Sequence, residues 1–205
     1  MSTTADYGVG SSGSPPWKDV LVELLPSQGN WSDEQYLTLT DGARRLVEFT
    51  DGVLEILPLP TDKHQSIVKF LLYAFDRFVA PLGGKVLFSP LRLQIRPGKY
   101  REPDLIVLRS ASDPRRQDRY WTGADLVVEV ISSDGVERDT VEKRADYAEA
   151  RVPEYWIVNP ENETITVLTL TGGAYAEAGV FRRGDSAAST LLAGFTIMAS
   201  AVFDA

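Results

Sequence analysis

The chain of 205 residues contains no cysteine and a single histidine. The absence of cysteine excludes disulfide bonds, thiol nucleophiles, thiolate zinc sites and cysteine-ligated iron–sulfur clusters. A single imidazole excludes any site that needs two or three histidines from one chain. A metal site in this protein would therefore be built mainly from oxygen ligands, which favours Mg²⁺, Mn²⁺ or Ca²⁺ over Zn²⁺.

Long apolar runs and targeting signals are also missing. No apolar stretch approaches the roughly 18 residues that a membrane-spanning helix needs, so we expect no membrane segment. Residues 1–16 are rich in Ser, Thr and Gly and lack the basic start and apolar core of a secretory signal, so we interpret them as a flexible leader. We expect residues 17–205 to form one domain. The missing signal and the missing cysteines favour a cytoplasmic location.

Positive charge is in deficit, because Asp and Glu outnumber Lys and Arg by 29 to 21, a formal net charge of −8. Domains that bind nucleic acid with their whole surface are usually basic, so this balance leaves only a local basic patch for such a partner. Residues 96–119 are the candidate, with seven basic and four acidic side chains. The basic ones are Arg96, Lys99, Arg101, Arg109, Arg115, Arg116 and Arg119. This segment could contact phosphates or be an ordinary solvated loop.

Helix and strand signals alternate along the chain. A capping box predicts a short helix over residues 33–39. The Asp51-Gly52 pair between two β-prone runs predicts an N-terminal hairpin, and apolar residues at three- and four-residue steps predict a helix over residues 64–78. The whole pattern predicts an α+β fold, in which helices flank a mixed sheet and residues 125–158 form a βαβ unit.

Two carboxylates occur in otherwise apolar strands. Glu129 lies within the run 125–131, which is typical of a central strand buried on both faces. A buried carboxylate must be neutral, paired or bound to a metal. Asp104 follows Pro103 in the predicted strand 102–108, and two carboxylates at adjacent strand positions form a site for a hard cation. Taken alone, Asp104 could equally be an ordinary Asp at a strand end rather than a metal ligand. Glu129 alone could equally be a buried Glu in a salt bridge.

Lys143 is the third candidate. Asp139, Lys143 and Tyr147 are spaced four residues apart on a helix predicted over residues 137–150, so they share one face. One interpretation is a solvated face with an Asp–Lys pair, with Tyr147 in the core. The helix begins just after the Glu129 strand, however, so Lys143 could instead extend over the strand end towards the carboxylates.

These residues, in this order, resemble the Uma-type family of restriction-endonuclease-like proteins, in the PD-(D/E)XK nuclease superfamily. The resemblance rests on Pro103-Asp104, segments 126–132 and 152–158, Asp139, Lys143 and Tyr147, with Glu48, Asp51, Gly52, Glu55 and His64 near the hairpin and first long helix. It extends from about residue 33 to the C-terminus. It implies a restriction-endonuclease-like fold, a Mg²⁺-dependent endonuclease that hydrolyses phosphodiester bonds in DNA, and a homodimer.

By this resemblance Asp104 and Glu129 ligate Mg²⁺ or Mn²⁺, together with the main-chain carbonyl of Val130. The superfamily pattern has a lysine two residues after the second acid, where this chain has Ile131, and Lys143 takes its place from the following helix. Two nearby carboxylates favour the charged form of Lys143. We therefore expect it to stabilise developing negative charge rather than to act as a base.

Glu48 and His64 match other recurrent positions of the family. By resemblance Glu48 supports the metal site, and His64 positions water or phosphate. For His64 the alternative is a capping or hydrogen-bonding role at a helix start. The aromatic pair Tyr155-Trp156 is expected in the core rather than on a base-stacking surface, and the apolar stretch 191–203 could be core or a dimer contact.

Two other functions are compatible with the sequence. The acidic charge and the displaced lysine favour a catalytically weak or inactive nuclease-fold module that serves in binding or assembly. A metal-dependent hydrolase of another phosphate ester is the third possibility. The sequence has no phosphate-cradling glycine loop and no dinucleotide-binding fingerprint, so no cofactor beyond a divalent cation is expected.

Overall fold

The computed structural model describes residues 25–132 and 138–205. The predicted leader (1–16) lies outside the described residues, and so does the start of the helix predicted over 137–150. The division of the chain into a leader and one domain (17–205) stays a prediction. A search of the described helices for one able to cross a membrane found none.

The helices within these ranges are short apart from the second. They are α1 (Asp33–Thr40), α2 (Asp62–Val79), α3 (Lys143–Glu149) and α4 (Ala199–Phe203), with a 3₁₀ turn (Ala80–Leu82) after α2 and a π-helical turn (Arg138–Glu142) before α3. The strands are β1 (Val47–Thr50), β2 (Val53–Ile56), β3 (Lys85–Phe88), β4 (Arg92–Arg96), β5 (Lys99–Arg101), β6 (Leu105–Leu108), β7 (Tyr120–Trp121), β8 (Leu126–Val130), β9 (Glu154–Asn159), β10 (Thr164–Thr171), β11 (Ala174–Phe181), β12 (Ser186–Ala188) and β13 (Thr196–Met198).

The strands of the described ranges pair into three sheets. A mixed six-stranded sheet has the order β11-β10-β9-β8-β6-β3, in which β8 and β9 are parallel and the other pairs are antiparallel. A five-stranded sheet has the order β2-β1-β5-β4-β7 and contains the predicted hairpin of β1 and β2. Strands β12 and β13 form the small third sheet. Mixed sheets flanked by helices, with the unit β8–α3–β9, confirm the predicted α+β fold.

Local sequence signals account for two of these elements. Helix α1 begins with the predicted capping box, in which the Ser32 hydroxyl accepts from the Gln35 amide N–H and the Gln35 side chain accepts from the Ser32 amide N–H. In the hairpin, Asp51 and Gly52 have φ angles of 48° and 85°. Positive φ at both central residues is what a two-residue type I′ turn requires, because it matches the twist of the flanking strands.

The six-stranded sheet is buried on both faces. One face packs against α2 and the C-terminal segment, and the other packs against α3. Alternation along β8 directs Leu126, Val128 and Val130 to the α2 face and Val127 to the α3 face. The same alternation directs Glu129 towards α3, which is how a carboxylate enters the middle of the sheet.

Packing on this sheet buries apolar residues of the stretch 191–203 and the aromatic pair Tyr155-Trp156. Within the stretch 191–203, Leu192, Phe195 and Phe203 are buried on the α2 face. Tyr155 and Trp156 in β9 are 0% exposed. These side chains are therefore core, as was expected for the aromatic pair, and they are available neither as a dimer contact nor as a stacking surface.

Another buried carboxylate, which the sequence does not single out, lies at the start of β9. Glu154 is 0% exposed. Its Oε1 accepts from Trp156 Nε1 at 2.7 Å and from Ser189 Oγ at 2.6 Å. Its Oε2 accepts from the amides of Thr190 and Leu191 at 2.7 and 2.8 Å, and from the Thr190 hydroxyl. Both oxygens thus face donors, and the carboxylate joins the C-terminal segment to β9.

We expect Glu154→Gln to lower the free energy of unfolding by about 3 kcal/mol, because the new amide NH₂ would face buried donors and lose charge-assisted hydrogen bonds. Urea unfolding followed by tryptophan fluorescence measures the change. The matched control is Glu177→Gln on the exposed side of β11, which should change stability by less than about 0.5 kcal/mol. Equal stability of the two variants would show that the Glu154 contacts contribute little.

Candidate active site

Antiparallel pairing between β6 and β8 brings the two candidate metal carboxylates together. Leu105 pairs with Val128, so Asp104, the residue before β6, lies opposite Glu129. The backbone N–H of Val130 donates to Asp104 Oδ2 at 2.8 Å, which fixes the Asp104 side chain against β8. Side-chain alternation directs Glu129 to the α3 face of the sheet, and both carboxylates line the same cleft.

The carboxylate of Glu129 is 3% exposed and receives its partners from α3. Lys143 Nζ donates to Glu129 Oε1 at 2.8 Å, and the Tyr147 hydroxyl donates to the same oxygen. The four-residue spacing thus places Lys143 and Tyr147 on one face, as predicted; the side chain of Asp139 lies outside the described residues. Burial, followed by the charge of Glu129, raises the pKa of Tyr147 well above its usual value, which keeps the phenol a donor.

A buried network of charged side chains lies behind Lys143. Lys143 Nζ is 3.5 Å from Glu48 Oε1, and Arg101 Nε is 3.7 Å from Glu48 Oε2. Arg101 also donates to Asp146 of α3, with Nε 2.8 Å from Oδ2, and Lys99 Nζ is 2.8 Å from Asp146 Oδ1. Burial lowers the pKa of Arg101, but Glu48 and Asp146 outweigh this effect and raise it. The network ties α3, and with it Lys143, to β1 and β5.

His64 lies at a helix start, beside one of the candidate metal carboxylates. It lies in the first turn of α2, where its backbone N–H donates to the Thr61 hydroxyl at 3.2 Å. Its imidazole Nε2 is 3.2 Å from Asp104 Oδ2. The helix cap therefore fixes the backbone at the position from which the side chain contacts the candidate site.

A cleft of about 290 Å³ gathers most of the candidate residues. Its lining includes His64, Asp104, Glu129, Val130 and Lys143. Glu48, which is 1% exposed, is not part of the lining and contacts Lys143 from behind. The fold thus brings five of the residues to one surface and keeps the sixth as a buried partner.

The donor set of this cleft fits a divalent cation that prefers oxygen. Asp104 and Glu129 line it together with Val130. Among the described residues both contacts of Asp104 involve Oδ2, so its Oδ1 is available to a ligand. The same residues include no group of three His, Cys, Asp or Glu side chains placed to hold a metal ion. The Val130 carbonyl and water would therefore complete the coordination, as is usual for Mg²⁺.

Glu102 is a cleft residue that the sequence analysis missed. It is buried, and its Oε2 accepts from the backbone N–H of Val47 at 2.9 Å. Burial, only partly offset by this hydrogen bond, raises the pKa of Glu102 to about 8, and the charge of Glu48 adds to the increase. Its burial depends on the contact with Val47, 55 residues away, so no nearby residue signals it.

Most basic residues of segment 96–119 form ion pairs with carboxylates of the same chain. The pairs join Arg96 to Asp51 and Glu149, Lys99 and Arg101 to Asp146, Arg109 and Arg115 to Asp125, and Arg119 to Asp41 and Glu34. The acidic excess of the chain supplies a nearby carboxylate for most of these cations. These ion pairs reduce the positive charge that the segment offers to a phosphate, and its contact with nucleic acid stays a prediction.

Comparisons with known proteins agree with the geometry. The chain matches the family described as "Uma2: Putative restriction endonuclease" over residues 33–201. Among solved structures it is similar to a protein from Anabaena variabilis described as "a putative nuclease belonging to DUF820", with a TM-score of 0.71 and 16% identity over 87% of this chain and 98% of that one. This likeness confirms the predicted restriction-endonuclease-like fold. No curated protein matched the chain.

The network behind Lys143 predicts a large effect for Arg101→Gln. This change leaves Glu48 and Asp146 buried with less positive charge, so we expect the free energy of unfolding to fall by about 3 kcal/mol. The control is Arg96→Gln, whose partners Asp51 and Glu149 are largely exposed, and which should cost about 1 kcal/mol or less. Urea unfolding of both variants checks the difference, and similar losses would contradict the importance of the buried network.

Proposed function

The chain belongs to the Uma2 family of putative restriction endonucleases, and we propose that it is a divalent-metal-dependent endonuclease that hydrolyses phosphodiester bonds in DNA. The observation that carries this proposal is the placement of Asp104, Glu129, Val130 and Lys143 on one cleft surface. Mg²⁺ or Mn²⁺ is the proposed ion, and a homodimer is the proposed assembly, by family resemblance. The cytoplasm, which the lack of cysteine favours, is the proposed location.

The proposed mechanism assigns a separate task to each polar group. Asp104, Glu129 and the Val130 carbonyl would hold the ion, which would supply Lewis-acid chemistry for the attack of water on the phosphodiester. The ammonium of Lys143 stabilises negative charge that develops on the phosphate, since it is already fixed by Glu129. His64, held by Asp104, orients water or a phosphate oxygen at the cleft edge. Glu48 acts through Lys143, as a positioning residue.

Replacing either carboxylate should weaken metal binding and catalysis together. We expect Asp104→Ala and Glu129→Ala to reduce Mn²⁺ affinity about tenfold or more and DNA cleavage about a hundredfold or more. Calorimetric titration with Mn²⁺ and cleavage of labelled DNA, with RNA and a small phosphodiester in parallel, measure the two effects. The control is Asp76→Ala, an exposed carboxylate of α2, which should change neither.

A wild-type protein that binds no Mn²⁺ or Mg²⁺ and cleaves none of these substrates would refute the nuclease. Cleavage of the small phosphodiester alone would instead favour a hydrolase of another phosphate ester.

One observation favours a second candidate, a nuclease-fold module that binds or assembles without cleaving. Glu129 already receives hydrogen bonds from Lys143 and Tyr147, so part of its negative charge is neutralised without a metal ion. A site satisfied by internal partners holds a cation less strongly, because the ion must compete with the Lys143 ammonium.

Lys143→Met separates the two candidates. A nuclease that uses the ammonium in the transition state should lose about a hundredfold in cleavage while Mn²⁺ affinity is retained or increased, because the competing cation is gone. A binding module should show no change in any nucleic-acid property. Lys99→Met is the matched control: this lysine pairs with Asp146 of the same helix and does not line the cleft. An equal loss of cleavage in both variants would indicate a structural effect on α3.

A further inference from the structure

Two further pockets adjoin the candidate cleft. On one side it shares Pro58, Leu59, His64 and Ser132 with a second pocket, which continues to Lys63. On the other side it shares Phe88 and Glu102 with a third pocket, which continues to Arg45. The three pockets are thus neighbours with common lining residues, and together they are called the groove.

An exposed aromatic side chain lies where the cleft meets the third pocket. Phe88 is the last residue of β3 and is 51% exposed. It pairs with Leu105, the residue after Asp104, so its ring lies beside the candidate site. An exposed aromatic ring in a groove offers its π-face to a nucleic-acid base, and such stacking accepts any base.

Three exposed cations flank the groove, and they differ from the ion-paired cations of segment 96–119. Arg44 lines the cleft, Arg45 lines the third pocket and Lys63 lines the second. In the described part of the chain, Arg44 and Arg45 form no ion pair, and the hydrogen bond of Lys63 Nζ goes to the neutral carbonyl of Pro160 at 3.3 Å. Arg44 and Arg45 therefore have no carboxylate within ion-pair distance among the described residues. Lys63 lies near Glu163, where it adds to the larger effect of Arg183 in lowering the pKa of that carboxyl.

The charge of the groove lining also differs from that of the chain. Seven basic and six acidic side chains line the three pockets, whereas the whole chain has a net charge of −8. The basic ones are Arg44, Arg45, Lys63, Arg92, Arg119, Arg138 and Lys143, and the acidic ones are Asp41, Glu102, Asp104, Asp118, Glu129 and Glu161. Phosphates are thus repelled less by this groove than by the average surface.

We propose that this groove binds an unpaired strand of nucleic acid, with a base stacked on Phe88 and backbone phosphates on Arg44 and Lys63. The proposal rests on the proposed nuclease and specifies its substrate. A base inside a duplex is stacked and paired, so its face is not open to a side chain, whereas an unpaired base can stack on an aromatic ring. The substrate is then a single strand, a flap or a frayed end, with the cleaved bond between the Phe88 and Lys63 contacts.

Binding in EDTA tests the groove without cleavage. The probes are a fluorescein-labelled oligothymidylate of about 12 nucleotides and a blunt duplex of equal length, followed by anisotropy. Wild type should bind the single strand more tightly, Phe88→Ala should weaken that binding about tenfold, and Phe88→Trp should restore it. The control is Tyr73→Ala, which removes an exposed ring of α2 outside the groove and should have no effect. Circular dichroism checks that each variant is folded.

The phosphate contacts are tested by salt dependence. Each of Arg44→Gln and Lys63→Gln should reduce the slope of log affinity against log salt by about 0.7, the value for one phosphate of a single strand. Arg77→Gln, an exposed cation of α2 outside the groove, should leave the slope unchanged. Equal slopes for all three variants would overturn the assigned phosphate contacts.

The outcomes separate this proposal from the nuclease itself. Tighter binding of the blunt duplex, or affinity that is unchanged in Phe88→Ala, overturns the groove proposal even if the protein cleaves DNA. Single-strand binding that depends on Phe88, in a protein that cleaves nothing with Mg²⁺ or Mn²⁺, supports the groove and refutes the nuclease. Phe88→Leu provides a second folded variant, because it keeps the apolar contact and removes only the ring.

Discussion

A carboxylate in the middle of a buried β-strand must be paired, and the pairing of Glu129 determines the arrangement around it. Its charge is met by Lys143 and Tyr147 from α3, so the helix must pack with that face against β8. Lys143 is itself buried beside Glu48, which requires the cation of Arg101. Negative and positive side chains thus alternate from Glu129 through Lys143 and Glu48 to Arg101, and they connect two sheets and a helix.

Many carboxylates of this acidic chain also form ion pairs with its basic residues. Most cations of segment 96–119 are paired with carboxylates, several of them far away in sequence. A negative net charge therefore does not mean that the site itself is strongly negative. The groove around the candidate cleft has a near balance of charge, and the surplus of carboxylates lies elsewhere in the chain.

The sequence predicted the fold class and much of the site because those features depend on local patterns. Three of these patterns involve residues that are close together in sequence. They are the Asp51-Gly52 turn, the capping box of α1 and the spacing from Lys143 to Tyr147. The position of Asp104 opposite Glu129 needs only the pairing of two strands, which the family motif implies.

Contacts between distant segments could not be predicted in this way. The hydrogen bond between Glu102 and Val47 depends on how separate elements pack, and so does the one between Glu154 and Thr190. The same is true of segment 96–119, whose charge could be counted from the sequence although its partners could not. The buried environment of Glu154 arises only when the C-terminal segment lies against β9, so no nearby residue signals it.

That contact has a consequence for how the protein opens. Terminal segments commonly fray at low free-energy cost, because few buried groups hold them. Here, detaching the segment around Thr190 would leave the Glu154 carboxylate with only its Trp156 donor, in the strand next to β8, which carries Glu129. Amide hydrogens near the C-terminus should therefore exchange with solvent as slowly as those of the central strands. On this reasoning, the segment around Thr190 opens only together with the sheet that carries the candidate site.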